Sequence, residues 1–321
     1  MFSTFATKKS FHKNLTQTLD KYLILLVGPT AVGKTDLAIR LAHQLNTEII
    51  SADSRQFYRE LSIGTAKPTK EEMDGITHHL IDSHSIDSYY SAGDFERDVI
   101  KLLEEDIFKR KEVAIMTGGS GLFVKAITDG LDDMPEAPLV LRENLMQRLE
   151  TEGVEVLAEE LKKLDPEYAA TADLQNSQRV VRALEVCLST GKPFSEFHKK
   201  TKVKRSFHFI KIGIERPREE LYSRVNQRME IMLANGLMDE VKGLTDYRNH
   251  NALQTVGYKE VFEFLDGTYD YAMMVELLKR NSRRYAKRQM TWFKNQDDFK
   301  WFNADDFEGV YKYIQAEMSI K

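Results

Sequence analysis

The chain has 321 residues, 42% hydrophobic and 30% charged, enough to bury a substantial core as one large domain or two modest ones. No apolar run approaches the roughly 18 residues of a membrane span, and the single cysteine, Cys187, excludes an internal disulfide framework and suits a reducing cytoplasm. The net charge of −4 is unevenly spread: Lys279 to Lys294 carries seven basic residues and no acid, leaving −11 for the rest, which calls for a local cause.

Residues 1–20 carry lysines and hydroxyls but no apolar signal core and no arginine, and read as a disordered tail. Tyr22 to Gly28, YLILLVG, is a continuous apolar run ending in glycine, the pattern of a parallel strand buried on both faces. From Lys34 the apolar residues Leu37, Ala38, Leu41, Ala42 and Leu45 recur at helical spacing, and EIISAD (Glu48 to Asp53) gives a second strand. Strand, glycine loop, helix and strand form a right-handed βαβ unit that opens a doubly wound sheet. Ser91 and Asp94 resemble a capping box before a helix with Phe95, Val99, Leu102, Leu103 and Ile107 inward, and EVAIMTGGSG is a third strand entering a glycine turn. Pro135 and Pro138 interrupt the pattern, strand signals nearly vanish from Leu139 to Arg205, and FHFIKIGIE (Phe207 to Glu215) is a strand followed by helices to the end. The expected fold is therefore α/β: a doubly wound parallel-sheet core from 21–138 and 206–321, interrupted by an all-helical insertion at 139–205.

GPTAVGKT satisfies G-x-x-x-x-G-K-[ST] between a strand and a helix, so Gly28, Pro29, Thr30, Ala31, Val32, Gly33, Lys34 and Thr35 are candidates for holding a chain of phosphates. Glycines let backbone amides converge on phosphate oxygens, the helix N-terminus adds partial positive charge, Lys34 supplies a point charge and Thr35 a hydroxyl ligand for Mg²⁺. The obvious ligand is ATP, yet the EVAIMTGG strand ends without the carboxylate that a nucleotide hydrolase uses to organise its metal. The acid is Asp53, at the carboxyl end of the second strand, where open α/β sheets bind ligands. By spacing alone, a catalytic carboxylate and a turn aspartate fit it equally. His78 and His79 point to opposite faces if they lie on a strand, so they read as structural rather than as a metal pair.

GPTAVGKTDLA, ISADSRQFY, IGTAKPT, HHLID, YSAGDF, TGGSGLF, QRVVRALEV, VGYKE and RRYAKRQMTWF occur in the order found in the tRNA dimethylallyltransferases, which the chain resembles from Tyr22 to Phe293. The resemblance implies transfer of a dimethylallyl group from dimethylallyl diphosphate to the exocyclic amine of the adenosine beside the anticodon, with release of diphosphate and Mg²⁺ as cofactor. It implies that Thr30 to Thr35 hold the diphosphate, that Thr35 meets the metal and that Asp53 is the general base. Ser54, Arg55 and Gln56 would line the adenosine pocket. Arg142 and the run Gln178, Arg179, Val180, Val181 and Arg182 match positions that contact tRNA. Ser120 keeps the hydroxyl of the family's usual threonine, whereas Phe123 replaces its usual tyrosine.

The tRNA partner needs backbone contacts of its own. Arg280, Arg283, Arg284, Lys287 and Arg288 recur at i, i+3, i+4, i+7 and i+8, one basic stripe suited to RNA phosphates, with Tyr285, Trp292 and Phe293 nearby. Arg179 and Arg182 share a helix face, with Leu184, Cys187 and Leu188 as core. Arg224 and Arg228 form a further basic pair whose target is diphosphate, RNA or solvent, Arg224 being a candidate for the diphosphate. The whole reads as a cytoplasmic, monomeric, Mg²⁺-dependent enzyme. The alternatives are an isopentenyltransferase acting on free adenine nucleotides, a P-loop small-molecule kinase, and an RNA-binding module with a vestigial P-loop.

Overall fold

A computed structural model of the chain describes residues 20–199, 202–296 and 298–319; all of the N-terminal tail but Asp20 lies outside them. Six parallel strands, β1 (Tyr22–Val27), β2 (Ile49–Ser51), β3 (His78–His79), β4 (Val113–Gly118), β5 (His208–Glu215) and β6 (Lys300–Asn303), form one sheet in the order β3-β2-β4-β1-β5-β6. Because side chains alternate along a strand, β1 sends Leu23, Leu25 and Val27 into one hydrophobic cluster and Tyr22, Ile24 and Leu26 into another on the opposite face. That double burial explains the uninterrupted apolar run. Within the sheet, β4 lies between β1 and β2, so the first βαβ unit skips a strand. The chain leaves β1 towards β2 and leaves β4 towards β5, opposite directions that open a crevice at their carboxyl ends.

The Ser91–Asp94 capping box is present, and the helix behind it, Ala92–Leu102, continues through a π-helical turn at Leu103–Ile107. Helices Leu139–Glu152, Val154–Leu164, Pro166–Thr171 and Ser177–Thr190 close around a third cluster, including Leu145, Leu161, Val181 and Leu184, separate from the two that flank the sheet. Leu188 is not part of it: at 42% exposed it faces solvent, one residue past the buried Cys187.

The end of the chain is not all helix. KWFN forms β6 beside β5, and a helix at Phe307–Ser319 returns over the sheet, placing Val310 and Ile314 in its core. Four residues with only half-buried aromatics give too short a pattern to read as a strand. No described helix is long and apolar enough to cross a membrane.

Candidate active site

The loop between β1 and the helix Lys34–Leu45 is bent by local necessity. A Cβ on Gly28 would lie 2.6 Å from the Ile214 carbonyl oxygen of β5, and the left-handed turns at Ala31 (φ 62°) and Gly33 (φ 109°) curl the chain back on itself. Arginines hold its carbonyls from outside: Arg224 Nε donates to Ala31 O at 2.9 Å, and Arg216 Nε to Val32 O at 2.8 Å. Lys34 Nζ donates to Pro29 O at 2.7 Å. Burial, and secondly the Arg228 guanidinium, push the Lys34 ammonium down to about 7, while Asp53 opposes them. A half-buried ammonium set beside a second cation is arranged to receive an anion.

Asp53 follows β2 and its turn is tied down. Its Oδ1 accepts from the Arg55 amide at 2.9 Å, and Ser120 Oγ accepts from the Ser54 amide at 2.9 Å, joining the ends of β2 and β4. Close packing requires Gly118 here, since a Cβ would come within 2.2 Å of Ala52 O. Gln56 accepts from Ser51 Oγ at 3.0 Å and donates to the carbonyls of Thr65 and Ala66 at 3.3 Å, which draws the IGTAKPT loop over the site. That loop is anchored on its other side by Glu240, whose carboxylate accepts the amides of Ser62, Ile63 and Gly64 and the Tyr258 hydroxyl. Arg55 Nε is buried with no hydrogen-bond partner among the described residues, a donor left for a ligand.

Part of this set lines one cavity that opens to solvent, whereas Ser54 and Ser120, which tie the two turns together, are not among its lining residues. Thr30, Lys34 and Thr35 face it, as do Asp53, Arg55 and Gln56. So do residues that sequence reasoning missed as site residues or left unassigned: Arg228 and the apolar Met229 and Met232 from the helix Arg218–Ala234, and Tyr285 and Gln289 from the helix Tyr271–Lys294. Burial, with Asp53 second, pushes the Tyr285 hydroxyl up to about 12, so it remains a neutral donor. The available signal was the i, i+4 pair Tyr285/Gln289 on the face opposite the arginines, which has meaning only once that face is known to meet the sheet. Of the ambiguous basic pair, Arg228 faces the cavity and Arg224 braces the loop from its exposed side.

His78 and His79 part as the strand alternation requires. His78 lines the cavity and bonds the Ile76 carbonyl, while His79 pairs with Glu48 at 2.7 Å. Among the described residues no group of three or more His, Cys, Asp or Glu could hold a metal. A Mg²⁺ shared with a diphosphate does fit, because that ion keeps most of its waters and takes one or two protein oxygens beside the phosphates. The Thr35 hydroxyl is such an oxygen, on a residue that lines the cavity.

The expected RNA contacts divide. Arg284, Lys287 and Arg288 form, with Thr291 and Trp292, an exposed groove on the outer side of their helix. Arg280 is exposed on the same helix, whereas Arg283 turns inward to Asn226 Oδ1 at 2.6 Å. Arg142 and Arg182 both pair with the buried Glu185, at 2.6 and 3.0 Å, which fixes two guanidinium groups side by side beneath the exposed Gln178 and Arg179. Val180 and Val181 are 1% and 0% exposed, part of the helical cluster's core, so their side chains do not meet RNA. Phe123 is buried and stacks on Phe95 with centroids 4.4 Å apart, which gives an apolar packing role to the place of a tyrosine.

Comparison with known proteins bears on the family of the chain. The family described as IPP transferase matches residues 56–296. The tRNA dimethylallyltransferase of Cytophaga hutchinsonii is 51% identical over 300 residues, 94% of this chain and 98% of that protein. That of Christiangramia forsetii is 48% identical over 302 residues, 94% and 100% of the two chains. Among solved structures, the full-length tRNA isopentenylpyrophosphate transferase of Bacillus halodurans superposes with a TM-score of 0.68 at 38% identity, covering 93% of this chain and 97% of that one. A eukaryotic dimethylallyltransferase acting on tRNA gives 0.72 at 27% identity, covering 92% and 77%.

Proposed function

The chain belongs to the IPP transferase family of tRNA dimethylallyltransferases, and from that premise we propose how its own residues carry out the reaction. The activity is modification of tRNA: a dimethylallyl group passes to the exocyclic amine of the adenosine next to the anticodon, and diphosphate is released. The observation that carries the residue assignment is the shared cavity, with a phosphate-binding loop and the Asp53 carboxylate on one continuous wall.

The donor enters with its diphosphate at Thr30 to Thr35. Its five carbons are worth at most about 4 kcal/mol of burial, at about 0.8 kcal/mol per carbon, so the phosphate end does most of the anchoring. Met229 and Met232 offer the apolar surface for the carbon end. The adenosine enters at Ser54, Arg55 and Gln56, where the unpaired Arg55 Nε supplies a polar partner. An adenine amine is a poor nucleophile because its lone pair is delocalised into the ring. Asp53 takes its proton as the nitrogen attacks the first carbon of the donor, worth typically about 10²–10⁴-fold. The carbon–oxygen bond breaks, the electron pair leaves with the diphosphate, and Lys34 and the loop meet the charge that develops there. Thr35 would hold a Mg²⁺ ion beside the diphosphate, which when bound would neutralise part of that charge.

Drawing the adenosine from its stack costs a few kcal/mol. Arg284, Lys287 and Arg288 on one side, and the 139–205 helices with Arg142, Gln178, Arg179 and Arg182 on the other, grip the RNA backbone meanwhile. We place this work in the cytoplasm and in a single copy of the chain. The test is to incubate the protein with unmodified tRNA, dimethylallyl diphosphate and Mg²⁺, with AMP as competing acceptor, and to analyse both by mass spectrometry. A prenyl group on the tRNA and none on AMP is the expected result; prenylated AMP alone would transfer the assignment to free nucleotides.

A further inference from the structure

Gln289 is 7% exposed, and both ends of its amide are used. Its Oε1 accepts from the Thr30 amide at 2.9 Å and its Nε2 donates to the Gly119 carbonyl at 2.9 Å. An uncharged carboxamide presents one acceptor and one donor in a single plane, which suits a bridge between a free N–H and a free C=O. The Thr30 amide belongs to the phosphate loop, and Gly119 to the turn that carries Ser120 beside the Asp53 segment. A Cβ on Gly119 would lie 2.1 Å from Gln289 Nε2, so glycine alone admits the bridge.

The helix that supplies Gln289 is the one bearing the basic groove. One turn earlier it sends Tyr285 into the cavity, and one turn later Trp292 packs over Gly121, where a Cβ would meet the indole at 2.4 Å. On its outer side it exposes Arg284, Lys287 and Arg288.

We propose that Gln289 is a positioning residue: from the RNA-facing helix it fixes the Thr30 amide and the Gly119 carbonyl, and so sets the diphosphate cradle against the Asp53 turn. The proposal rests on the function given above. A side chain that merely fills the core would affect folding without a preference for one substrate. A bridge of this kind affects the donor and leaves the tRNA alone.

The test uses the full-length protein, dimethylallyl diphosphate and unmodified tRNA. Gln289→Met keeps the volume and removes both hydrogen bonds. It raises the donor KM about tenfold, because the Thr30 amide and the Gly119 carbonyl are no longer held in register, and leaves the tRNA KM within about twofold. Gln289→Glu discriminates further. At pH 8 the introduced carboxylate still accepts from Thr30 but cannot donate to Gly119, and it opposes the anionic donor, so the donor KM rises about thirtyfold or more. On lowering the pH to 6 the buried carboxyl takes up a proton and regains its donor. The KM relative to wild type at the same pH then falls back by about fivefold or more, whereas Gln289→Met shows no such recovery.

A donor KM for Gln289→Met within twofold of wild type, an equal rise in both KM values, or a Gln289→Glu defect flat from pH 8 to 6 would each overturn the proposal. Should Gln289→Met not fold, the pH profile of Gln289→Glu decides alone. Wild-type protein that fails to prenylate tRNA contradicts the proposed function instead.

Discussion

The Ser120 hydroxyl holds the turn that carries Asp53, the carboxylate proposed as general base. Its Oγ accepts from the Ser54 amide at 2.9 Å, in the residue after Asp53, and the Asp53 carboxylate is itself turned by the Arg55 amide. Losing that acceptor leaves a half-buried N–H unpaired at a cost of about 1–3 kcal/mol, which the turn relieves by moving. Ser120→Ala should therefore lower kcat by about tenfold or more, whereas Ser120→Thr, which keeps the hydroxyl, should stay within about twofold. Steady-state rates of the two variants check this, and an alanine variant as active as the threonine one would remove Ser120 from the site. At this scale the phosphate loop was legible because its chemistry is local, a fixed spacing between a strand and a helix, whereas spacing alone fitted Asp53 equally to a turn; the structure lines one cavity with both. Arg228, Tyr285 and Gln289 were not legible, because they reach the cavity from helices some 200 residues away in sequence, and nothing in their own neighbourhood marks a ligand.

The basic stripe was legible as an element, though its division of labour was not. Helical spacing put five cations on one side, and the structure turns Arg283 inward to Asn226 while Arg284, Lys287 and Arg288 stay in solvent beside Trp292. Spacing fixes the angle around a helix, but which angle meets the core depends on the partner helix, here Arg218–Ala234. If the outer three grip phosphates, replacing all three by alanine should reduce the slope of log K against log salt for tRNA binding by about 2–3, at roughly 0.7–0.9 per phosphate contact. The donor KM should be unaffected, and an unchanged salt slope would mean that this groove does not hold RNA. The same limit explains Val180 and Val181. They lie in a run matched to RNA contact, yet the amphipathic helix Ser177–Thr190 buries them and leaves Gln178 and Arg179 outside. It also explains β6, whose four residues carry no period long enough to recognise.

For the molecule as a whole, function follows from sheet order. With β4 between β2 and β1, the ends of the three strands converge on one crevice: the phosphate loop after β1, Asp53 after β2, and Gly118 and Gly119 at the end of β4. The helical residues 139–197 bury a core of their own and add no strand to that sheet, so the RNA surface they are proposed to supply is built without disturbing the crevice. Chain order pointed to the α/β class but not to the strand order, since parallel strands joined by helices are compatible with several arrangements. One cavity is proposed to serve donor and acceptor, with Asp53 between them. The most direct measurement is the single-turnover rate of prenyl transfer by Asp53→Ala with saturating donor and tRNA, beside its tRNA dissociation constant. The rate should fall by about a hundredfold or more while tRNA affinity stays within about twofold of wild type; transfer at close to the wild-type rate would contradict the role given to Asp53 and the shared cavity with it.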